Sequence, residues 1–566
     1  AKCESRTKAE GLSFLTKTLP SLGKALDRAL SSGLPFILPT GFKSREGQIP
    51  ILFGDLFGRV FHADGSLNDD PCPLTVAALR QIAYLFYKLE VPHDESTTQG
   101  VIDQFVDTDK NLPDQGKFNC DNDPVLRKAR ALIERVLCNA DFGDIIPRHG
   151  PGAVATGESV RTKSVLNRIY RSLEHVYPFY EYMRFNAAHT CDSYQEPLVT
   201  EHDFAQAKVV LVPKDSRGPR LISMEPLEIQ WIQQGIKDVL YREIEDHPLT
   251  RGHVNFTSQE VNRSLALASS RDDQDGDRLV TLDMKEASDR VSLELFRVLY
   301  ERTPLYKPAL AARSVATLLP SGAVLQLKKF APMGSALCFP VEALTFWALA
   351  VSALHIHYPL LSNREKFEVY VFGDDIIMRG QYYPLINDIF EKYALVFNKD
   401  KCCLRQYHSF RESCGLDAFR GVVVTPLRIK RRLRRRPNRW LPSLVDQGNL
   451  AYSRGLHCFA ACIEDICKDT PYDVPYTSNV CGVITHVRDY VSKTRYGRRN
   501  RRLQRNTEHN RMYVRFNRHL QRMELRGWRL ESRPRKVTYR GYAEMLRNWH
   551  SVGNPDSDPA RGYVER

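Results

Sequence analysis

Two adjacent aspartates lie in the tripeptide Gly373-Asp374-Asp375, between two short runs of β-branched and apolar residues. Apolar runs separated by a Gly/Asp turn predict a β-hairpin with both carboxylates at its tip. Adjacent carboxylates repel each other unless a cation lies between them, and their hard oxygen atoms suit Mg²⁺ or Mn²⁺. Alone, such a tripeptide is more often a solvated hairpin tip, so a metal site requires a third carboxylate elsewhere.

Asp283 supplies that third carboxylate, because it ends the apolar segment 278–282. We expect a strand there, with Asp283 at the carboxyl end where α/β arrangements place their chemistry. An amphipathic helix should follow, and Asp289 would lie at its start. An ordinary acid favoured by the helix dipole explains Asp289 equally well. The apolar face of the helix is formed by Val291, Leu295, Phe296 and Leu299.

A second predicted hairpin, residues 208–223, carries Lys214, Arg217 and Arg220 around its turn. Arginine binds phosphate oxygens in a bidentate manner and lysine acts as a point charge, so the three could line a channel for a triphosphate. A solvated basic hairpin is the alternative.

Together these groups suit phosphoryl transfer. Two metal ions held by Asp283, Asp374 and Asp375 would activate an attacking hydroxyl and stabilise a leaving pyrophosphate. The basic hairpin would neutralise the triphosphate. Nucleotidyl transfer requires these residue types.

The order of the predicted elements narrows this chemistry to a polymerase. After Asp283 come a Gly-containing loop at residues 331–335, an apolar helix, the acidic hairpin, an amphipathic helix and a short strand before residues 398–401. Apart from the extra helix after Asp283, this order matches the split βαβ sheet of the ferredoxin-like class. The predicted fold class is therefore α+β.

These motifs resemble the RNA-directed RNA polymerases, specifically the replicase catalytic (beta) subunits of the small RNA bacteriophages, the leviviruses. Residues 410–415, with 421–422 and 425–426, are the most phage-specific part, and the resemblance covers roughly residues 205–430. Five stretches carry it in the family's order: residues 212–226, Asp283 with 287–289, 333–334 with Glu342, 373–377 and 410–415.

The resemblance implies a role for each matching residue. Asp283, Asp374 and Asp375 would bind two Mg²⁺ ions, with Mn²⁺ as a substitute. The nucleotide phosphates would contact the basic hairpin through Lys214, Arg217 and Arg220.

Four further roles are implied in the same way. Asp289 would help to select the ribose 2′-hydroxyl, and Lys401 would be the general acid for pyrophosphate. Gly334 and Ser335 would form the flexible loop beside the templating base. The turn that grips the new strand would be formed by Cys414 and Gly415.

The resemblance also implies a right-hand polymerase with fingers, palm and thumb. The fingers and N-terminal region would span residues 1–275, with a finger insertion near 300–330. The palm, with a ferredoxin-like antiparallel sheet, would span 276–425, and the thumb with the basic C-terminal region 426–566.

Charge is concentrated at the C-terminus of this 566-residue chain, whose net charge is +14. Residues 428–439 contain eight Lys/Arg and no acid, and residues 491–566 contain 20 Lys/Arg and 7 Asp/Glu. Aromatic residues interleave the second stretch, which suits stacking and phosphate contact with single strands; they include Tyr496, Tyr513, Phe516, Trp528, Tyr539, Tyr542 and Trp549. A helical subdomain with a basic outer face fits the composition equally well.

The remaining segments give weaker expectations. Residues 12–30 and 74–89 predict helices, residues 91–123 predict a loop, and the Gly-rich residues 148–156 predict a surface turn or a contact with RNA backbone. Three cysteines with helical spacing are expected to be buried free thiols: Cys458, Cys462 and Cys467.

No secretory signal is visible, and the longest apolar run, residues 343–354, is too short to span a bilayer. The first residue is Ala1, so an initiator methionine is expected to be absent or removed. These features predict a reducing cytoplasm, and the resemblance makes it that of a bacterial host.

The expected function is template-directed RNA synthesis from ribonucleoside triphosphates, with primer-independent initiation on a single-stranded RNA phage genome. The resemblance adds host translation elongation factors and a ribosomal protein as partners, and no membrane. Three alternatives remain open: the polymerase of a capsidless narnavirus-like element, a reverse transcriptase, and a non-catalytic RNA-binding protein.

Overall fold

The computed structural model describes residues 2–159, 162–163, 165–183, 199–215, 217–271, 278–431, 440–467, 473–475, 482–485, 513–526 and 563–565. The chain forms two compact units. The first combines Ala1–Ala83 with Pro92–Pro426, and the second combines Tyr84–Val91 with Leu427–Arg566. The predicted division of the chain into fingers, palm and thumb stays a prediction.

The helices up to the Gly-containing loop are α1 (Lys2–Glu10), α2 (Leu19–Ser32), α3 (Gly54–Phe57), α4 (Pro73–Tyr84), α5 (Glu95–Lys110), α6 (Pro124–Leu137), α7 (Arg171–Glu174), α8 (Phe179–Tyr182), α9 (Leu227–Asp246), α10 (Glu260–Ser269), α11 (Ala287–Arg290), α12 (Leu293–Tyr300) and α13 (Tyr306–Ala311). The later helices are α14 (Cys338–His357), α15 (Asn363–Lys366), α16 (Tyr383–Lys392), α17 (Leu441–Ser453) and α18 (His457–Cys467). A π-helical turn (Phe14–Thr18) precedes α2, and a 3₁₀ turn (Gly380–Tyr382) precedes α16.

The strands of the first unit are β1 (Ser44–Glu46), β2 (Ile49–Pro50), β3 (Arg168–Tyr170), β4 (Thr200–His202), β5 (Gln206–Asp215), β6 (Gly218–Met224), β7 (Leu279–Asp283), β8 (Ala316–Leu318), β9 (Val324–Gln326), β10 (Val369–Phe372), β11 (Asp375–Arg379), β12 (Phe410–Ser413), β13 (Leu416–Phe419) and β14 (Val422–Val423). Those of the second unit are β15 (Asp473–Pro475), β16 (Val483–Thr485), β17 (Tyr513–Asn517), β18 (Arg522–Arg526) and β19 (Tyr563–Glu565).

The acidic hairpin is formed as predicted. Strands β10 and β11 pair antiparallel, and β11 pairs antiparallel with β7, so the sheet order is β10-β11-β7. Val369, Val371, Ile376 and Met378 share one face of the hairpin and are fully buried in the main core, and Ile377 on the other face is buried in a smaller cluster. With helices against these antiparallel strands, the predicted α+β class is confirmed.

The prediction of a continuous last strand in the split βαβ sheet is wrong. Beyond β7 the sheet continues only as two isolated bridges, Met284 with Phe397 and Thr281 with Cys403. Between them, the amides of Lys401 and Cys402 both donate to the Asn398 carbonyl. The turn at Asn398 therefore separates the two bridges, and no continuous strand pairs with β7 at this edge among the described residues.

Helix α14 forms the centre of the core. Its residues are buried almost all round, and Trp347 is 0% exposed. Among the described residues, this helix is long and apolar enough to cross a membrane by length and composition, but 83% of its most apolar window is buried inside the protein. A helix that is apolar on every face and packed on all sides is a core helix.

The predicted loop over residues 91–123 is wrong, because helix α5 occupies Glu95–Lys110. Asp94 caps it by accepting a hydrogen bond from the Thr97 amide. Only a narrow stripe of α5 is buried, including Ile102 and Phe105. The many polar residues on the other faces conceal this stripe in the sequence.

The other N-terminal helices are confirmed with different bounds, since α2 continues to Ser32. Residues 12–30 contain the π-helical turn and most of α2, while α4 stops at Tyr84 rather than at residue 89. Residues 148–156 contain no helix or strand, as predicted.

In the second unit, α17 and α18 pack through Leu444, Val445, Ile463 and Cys467. Cys467 is buried as expected, but Cys458 and Cys462 are exposed, so the prediction of three buried thiols is wrong for these two. Most of the basic C-terminal residues lie outside the described part of the chain. Of the interleaved aromatic side chains, only Phe516 can be assessed, and it is 51% exposed.

Candidate active site

The three predicted aspartates lie at one end of the sheet β10-β11-β7. Phe372 and Asp375 close the hairpin, and Asp375 pairs in register with Asp283 on β7. Asp374 occupies the exposed turn between the strands, and its carbonyl accepts a hydrogen bond from the Met284 amide at 3.2 Å. Directly opposed residues of antiparallel strands lie about 4.5–5.5 Å apart, so backbone pairing alone places these carboxylates side by side.

Gly373 allows this turn to lie against helix α14. Its φ angle is 62°, and a Cβ atom there would come within 2.1 Å of the Phe339 ring. Phe339 in turn contacts Phe372 edge to face, with ring centroids 5.3 Å apart. A side chain at position 373 would therefore displace the Phe339 ring that packs against Phe372.

Both hairpin carboxyls have raised pKa values. Desolvation by the surrounding protein and the negative charge of Asp283 raise the pKa of Asp374, although solvent reaches the tip. Burial and the neighbouring Asp374 raise the pKa of Asp375 to about 7. Such shifts mean that the site concentrates negative charge that the folded protein does not fully neutralise.

Asp283 forms an ion pair with a cation of the protein, Lys401. Its Oδ1 atom lies 2.8 Å from the Lys401 Nζ atom, and Asn398 Nδ2 donates to Oδ2 at 3.1 Å. Burial would lower the pKa of Lys401, but Asp283 and the buried Glu412 outweigh it and raise that pKa. Lys401 therefore keeps its proton and faces the acidic cluster, as its predicted role requires.

The side-chain orientations do not form a complete metal shell. Asp283 is turned toward Lys401 and Asn398, and Asp375 accepts a hydrogen bond from the Cys414 amide at 2.8 Å. Among the described residues, no group of three or more His, Cys, Asp or Glu side chains is arranged to hold a metal ion. The donor set nevertheless fits a hard divalent cation, because carboxylates with raised pKa values lie side by side.

The predicted turn at Cys414 and Gly415 joins β12 to β13 and lies beside Asp375. Both residues have positive φ angles, 49° and 72°, and the turn directs the Cys414 amide at the Asp375 carboxylate. This turn therefore contacts a predicted metal ligand, Asp375, and its hydrogen bond orients the Asp375 carboxylate.

The basic hairpin is formed by β5 and β6, with Lys214, Arg217 and Arg220 exposed at its turn. Electrostatic coupling relates it to the acidic hairpin, since the charge of Arg220 counteracts the rise in the Asp374 pKa. Burial and the positive charge of Arg220 lower the pKa of Lys214. Phosphate groups would relieve that crowding of positive charge.

Arg217 differs from the other two cations because Asp215 neutralises it. Its Nη2 and Nε atoms lie 2.8 Å and 3.1 Å from the two Asp215 carboxylate oxygens. The three cations predicted for the triphosphate are thus not equivalent, and Lys214 and Arg220 carry the charge that this carboxylate does not neutralise.

Asp289 lies in the short helix α11, and its side chain is 20% exposed. Its Oδ1 atom lies 3.0 Å from the Nζ atom of the fully buried Lys329. Burial raises the pKa of Asp289, and the Lys329 charge opposes that rise. Asp289 is therefore part of a buried ion pair and is more than the simple helix-start acid that the sequence left as an alternative.

The Gly-containing loop before α14 packs against β6. Gly334 has a φ of 127°, and a Cβ atom there would lie 2.1 Å from the Ser223 carbonyl oxygen. Ser335 is 7% exposed, and its hydroxyl accepts a hydrogen bond from the Leu337 amide at 3.3 Å. The side chain of Ser335 thus makes a hydrogen bond within the loop, and its hydroxyl proton is not used by that bond.

Comparison with known proteins decides the family. The sequence profile of the family described as "RNA replicase, beta-chain" matches residues 104–441, more than half of the chain. The chain belongs to this family. All ten predicted site residues of this replicase chain fall within the matched span.

Individual relatives of this replicase chain are phage proteins. The "RNA-directed RNA polymerase subunit beta" of Enterobacteria phage SP is 34% identical over 227 residues, 40% of this chain and 36% of that protein. Its counterpart in Escherichia virus Qbeta is 32% identical over 226 residues, with the same coverage of 40% and 36%. The "RNA-directed RNA polymerase beta chain" of Escherichia phage MS2 is 29% identical over 225 residues, 39% of this chain and 37% of that protein. The matched part therefore spans about a third of these relatives.

Two solved polymerases show a partial likeness to the replicase chain. The RNA-dependent RNA polymerase of BmCPV at its elongation state has a TM-score of 0.33 and 12% identity, covering 43% of this chain and 24% of that one. Sicinivirus 3Dpol has a TM-score of 0.31 and 12% identity, covering 54% and 68%. Likeness at this level carries no argument about function.

Several residues around the replicase site were not singled out as site residues from the sequence. Glu412 lies in the quoted stretch 410–415, so that motif could have indicated it. Asn398 lies in the short stretch 398–401 that contains Lys401, although its side chain was assigned no role. Lys329 and Asp109 gave no local signal. Lys329 forms ion pairs with Asp289 and Asp109, and both partners are distant from it in the sequence.

Glu342 is a further buried acid at the site. It lies on α14, and burial and the charge of Asp374 raise its pKa well above the ordinary value. The Cys338 thiol donates to it at 3.6 Å. The raised pKa favours the uncharged form of this carboxyl behind the acidic hairpin.

Proposed function

We propose that this chain is a template-directed RNA polymerase that replicates a single-stranded RNA phage genome by nucleotidyl transfer from ribonucleoside triphosphates. The observation that carries the proposal is the register of Asp375 with Asp283, which puts these two carboxylates and Asp374 at one end of a sheet. The basic hairpin supplies the opposite charge, since Arg220 acts electrostatically on Asp374. Membership of the replicase beta-chain family supports the same reaction.

Two Mg²⁺ ions, or Mn²⁺ in their place, are the cofactor that this donor set would hold through Asp283, Asp374 and Asp375. Bound there, the ions would supply charge stabilisation to the attacking and leaving oxygens of the phosphoryl transfer. In the metal-free protein, the Lys401 Nζ atom lies 2.8 Å from Asp283 Oδ1 and acts as an internal counter-ion. The Cys414 amide orients Asp375 in the same way at 2.8 Å.

The basic hairpin would bind the triphosphate of the incoming nucleotide. Lys214 and Arg220 provide exposed positive charge on the side that faces Asp374. Arg217 would contribute less, because Asp215 already occupies two of its donors. We therefore expect the loss of Arg220 to raise the KM for nucleotides more than the loss of Arg217.

Two side chains would act on the nucleotide itself. Asp289 would accept a hydrogen bond from the ribose 2′-hydroxyl and so favour ribonucleotides. Lys401 would deliver the proton at its Nζ atom to the leaving pyrophosphate, and the raised pKa of Lys401 keeps that proton in place beforehand. Gly334 and Ser335 would lie beside the templating base.

The partners that follow from this reaction are the single-stranded RNA template and product, and ribonucleoside triphosphates. We propose the cytoplasm of an infected bacterium as the location of this reaction, which the phage origin of the relatives supports. Host translation elongation factors and a ribosomal protein are proposed as additional components, from family resemblance alone.

The test is RNA synthesis by the purified full chain on a defined single-stranded RNA, with ribo- or deoxyribonucleotides and with Mg²⁺ or EDTA. The proposal expects Mg²⁺-dependent product complementary to the template, made from ribonucleotides, with host extract added where the chain alone is inactive. Product made from deoxyribonucleotides would instead indicate a reverse transcriptase. RNA binding with no product under any of these conditions would indicate a non-catalytic RNA-binding protein.

A further inference from the structure

Lys329 is a fully buried lysine, 0% exposed, on the segment that precedes the Gly-containing loop. Its Nζ atom lies 3.0 Å from Asp289 Oδ1 and 3.7 Å from Asp109 Oδ1. The same atom lies 3.6 Å from the centre of the Phe105 ring on α5. A buried ammonium group is costly unless it is paired in this way, so the site is built around this charge.

The backbone of Lys329 is fixed on several sides. Its amide donates to Asp109 Oδ1 at 3.1 Å, and its carbonyl accepts from Arg313 Nη2 at 3.0 Å. It also forms a β-bridge with Ser292, three residues beyond Asp289. The ammonium group is therefore held in a defined position relative to Asp289.

The ion pair with Lys329 makes the two carboxylate oxygens of Asp289 different from each other. Oδ1 is bound by Lys329. Within the part of the chain that the structure describes, no hydrogen bond reaches Oδ2, and the side chain remains 20% exposed. One oxygen is anchored while the other can accept a hydrogen bond from a ligand.

The Lys329 charge also controls the ionisation of Asp289. Burial raises the pKa of this carboxyl and Lys329 opposes the rise. Without the lysine, a buried carboxyl favours its protonated form, which can donate a hydrogen bond and is no longer a dedicated acceptor. The acceptor character of Asp289 therefore depends on Lys329.

We propose that Lys329 is a positioning residue for sugar selection, which holds Oδ1 of Asp289 so that Oδ2 meets the 2′-hydroxyl of the incoming ribonucleotide. This inference rests on the proposed polymerase function and adds to it a residue that touches neither nucleotide nor metal. Asp109 and Phe105, both from helix α5, also contact the ammonium group of the lysine. A segment that the sequence predicted to be a loop thus helps to determine substrate choice.

The experiment compares the ratio of kcat/KM for ATP and dATP on one RNA template. It uses the full chain and its Lys329→Met, Asp289→Asn and doubly substituted forms. We expect Lys329→Met to reduce the ribose preference roughly 10-fold or more, the loss expected for a hydrogen bond to a charged group. The double variant should match Asp289→Asn alone, because Lys329 acts through Asp289. The matched control is Lys328→Met, whose Nζ pairs with the exposed Asp114 at 2.6 Å, and it should keep the wild-type ratio.

Thermal unfolding of each variant is measured first. The double variant removes both charges of the closer ion pair and should be more stable than Lys329→Met. If Lys329→Met does not fold, Asp109→Asn is measured in its place. This substitution removes the second carboxylate partner of the Lys329 ammonium group and should shift the ratio of kcat/KM in the same direction.

The inference is overturned if the folded Lys329→Met protein keeps the wild-type ratio while Asp289→Asn loses it. It is also overturned if the effects of the two substitutions multiply in the double variant. Absence of RNA synthesis by the wild-type chain with host extract would overturn the proposed function, and this inference with it.

Discussion

Replacing Asp375 by asparagine should stabilise the metal-free protein at alkaline pH. Burial and Asp374 raise the pKa of Asp375 from its ordinary 3.8 to about 7. A carboxyl with a raised pKa in the folded state favours folding when protonated, so stability falls as the pH rises from about 4 through about 7. At about 1.4 kcal/mol per pKa unit, the full effect above about pH 8 is roughly 4 kcal/mol. Asparagine removes this cost and can still accept the hydrogen bond of the Cys414 amide.

The assay is thermal unfolding in EDTA at pH 5 and at pH 8. Asp375→Asn should raise Tm on the order of 5 °C more at pH 8 than at pH 5. Adding Mg²⁺ at pH 8 should reduce its advantage, because a bound cation stabilises only the wild-type site. The exposed Asp69→Asn serves as the control and should show no such dependence. An equal Tm change at both pH values would refute the claim that the cluster concentrates unneutralised charge.

Three further predictions concern the loop, the buried charges and the C-terminus. Gly334→Ala should cost at least about 2 kcal/mol from backbone strain and overlap with the Ser223 carbonyl, whereas Gly322→Ala, also at positive φ but in open space, should cost less in the same denaturation assay. Arg80→Met should cost about 3–5 kcal/mol, because it leaves the buried Asp417 and the half-buried Asp27, each 3.0 Å away, without their cation; Arg28→Met in the exposed pair with Asp400 should cost below about 1 kcal/mol. Truncation after Val491 should weaken RNA binding and lower its salt slope by about 0.7 for each lost phosphate contact, and a folded truncation with unchanged slope would contradict a role of the tail in RNA contact.

The centre of the site could be predicted because its signals are local. A Gly-Asp-Asp turn between apolar runs forms a hairpin with little help from the rest of the chain. Once the hairpin forms, the free edge of β11 pairs antiparallel with β7, and Asp283 is the last residue of that strand. The basic hairpin was predicted for the same reason, since its strands and turn are contiguous in sequence.

The contacts between these residues and distant segments have no local signal, and Lys401 was assigned to the site through the family resemblance alone. Lys401 is 118 residues from Asp283, and Asp109 is 220 residues from Lys329. Neither spacing has a period or motif that a sequence pattern reveals. Helix α5 was missed because its capping aspartate and polar faces are also typical of a loop, and tertiary packing of a narrow apolar stripe decides between the two.

The sequence also could not predict that the three cations of the basic hairpin differ in how far they are neutralised. Arg217 and Asp215 are two residues apart on opposite sides of a turn, and only the backbone geometry shows that they pair in a bidentate manner. The final strand of the palm sheet was overestimated for a similar reason. Its apolar residues predict a strand, while the Asn398 turn limits pairing to isolated bridges.

The most direct test of the central claim is single-nucleotide incorporation on an RNA template by the wild-type chain and by Asp374→Asn, with Mg²⁺ and the same host extract in both. Asn at this position preserves the shape of the turn and removes one of three clustered charges, so it should abolish most incorporation while leaving RNA binding and Tm in EDTA at pH 5 nearly unchanged. The exposed Asp69→Asn should incorporate like the wild type. Near-normal incorporation by Asp374→Asn with Mg²⁺ would contradict the assignment of the acidic hairpin as the catalytic metal site.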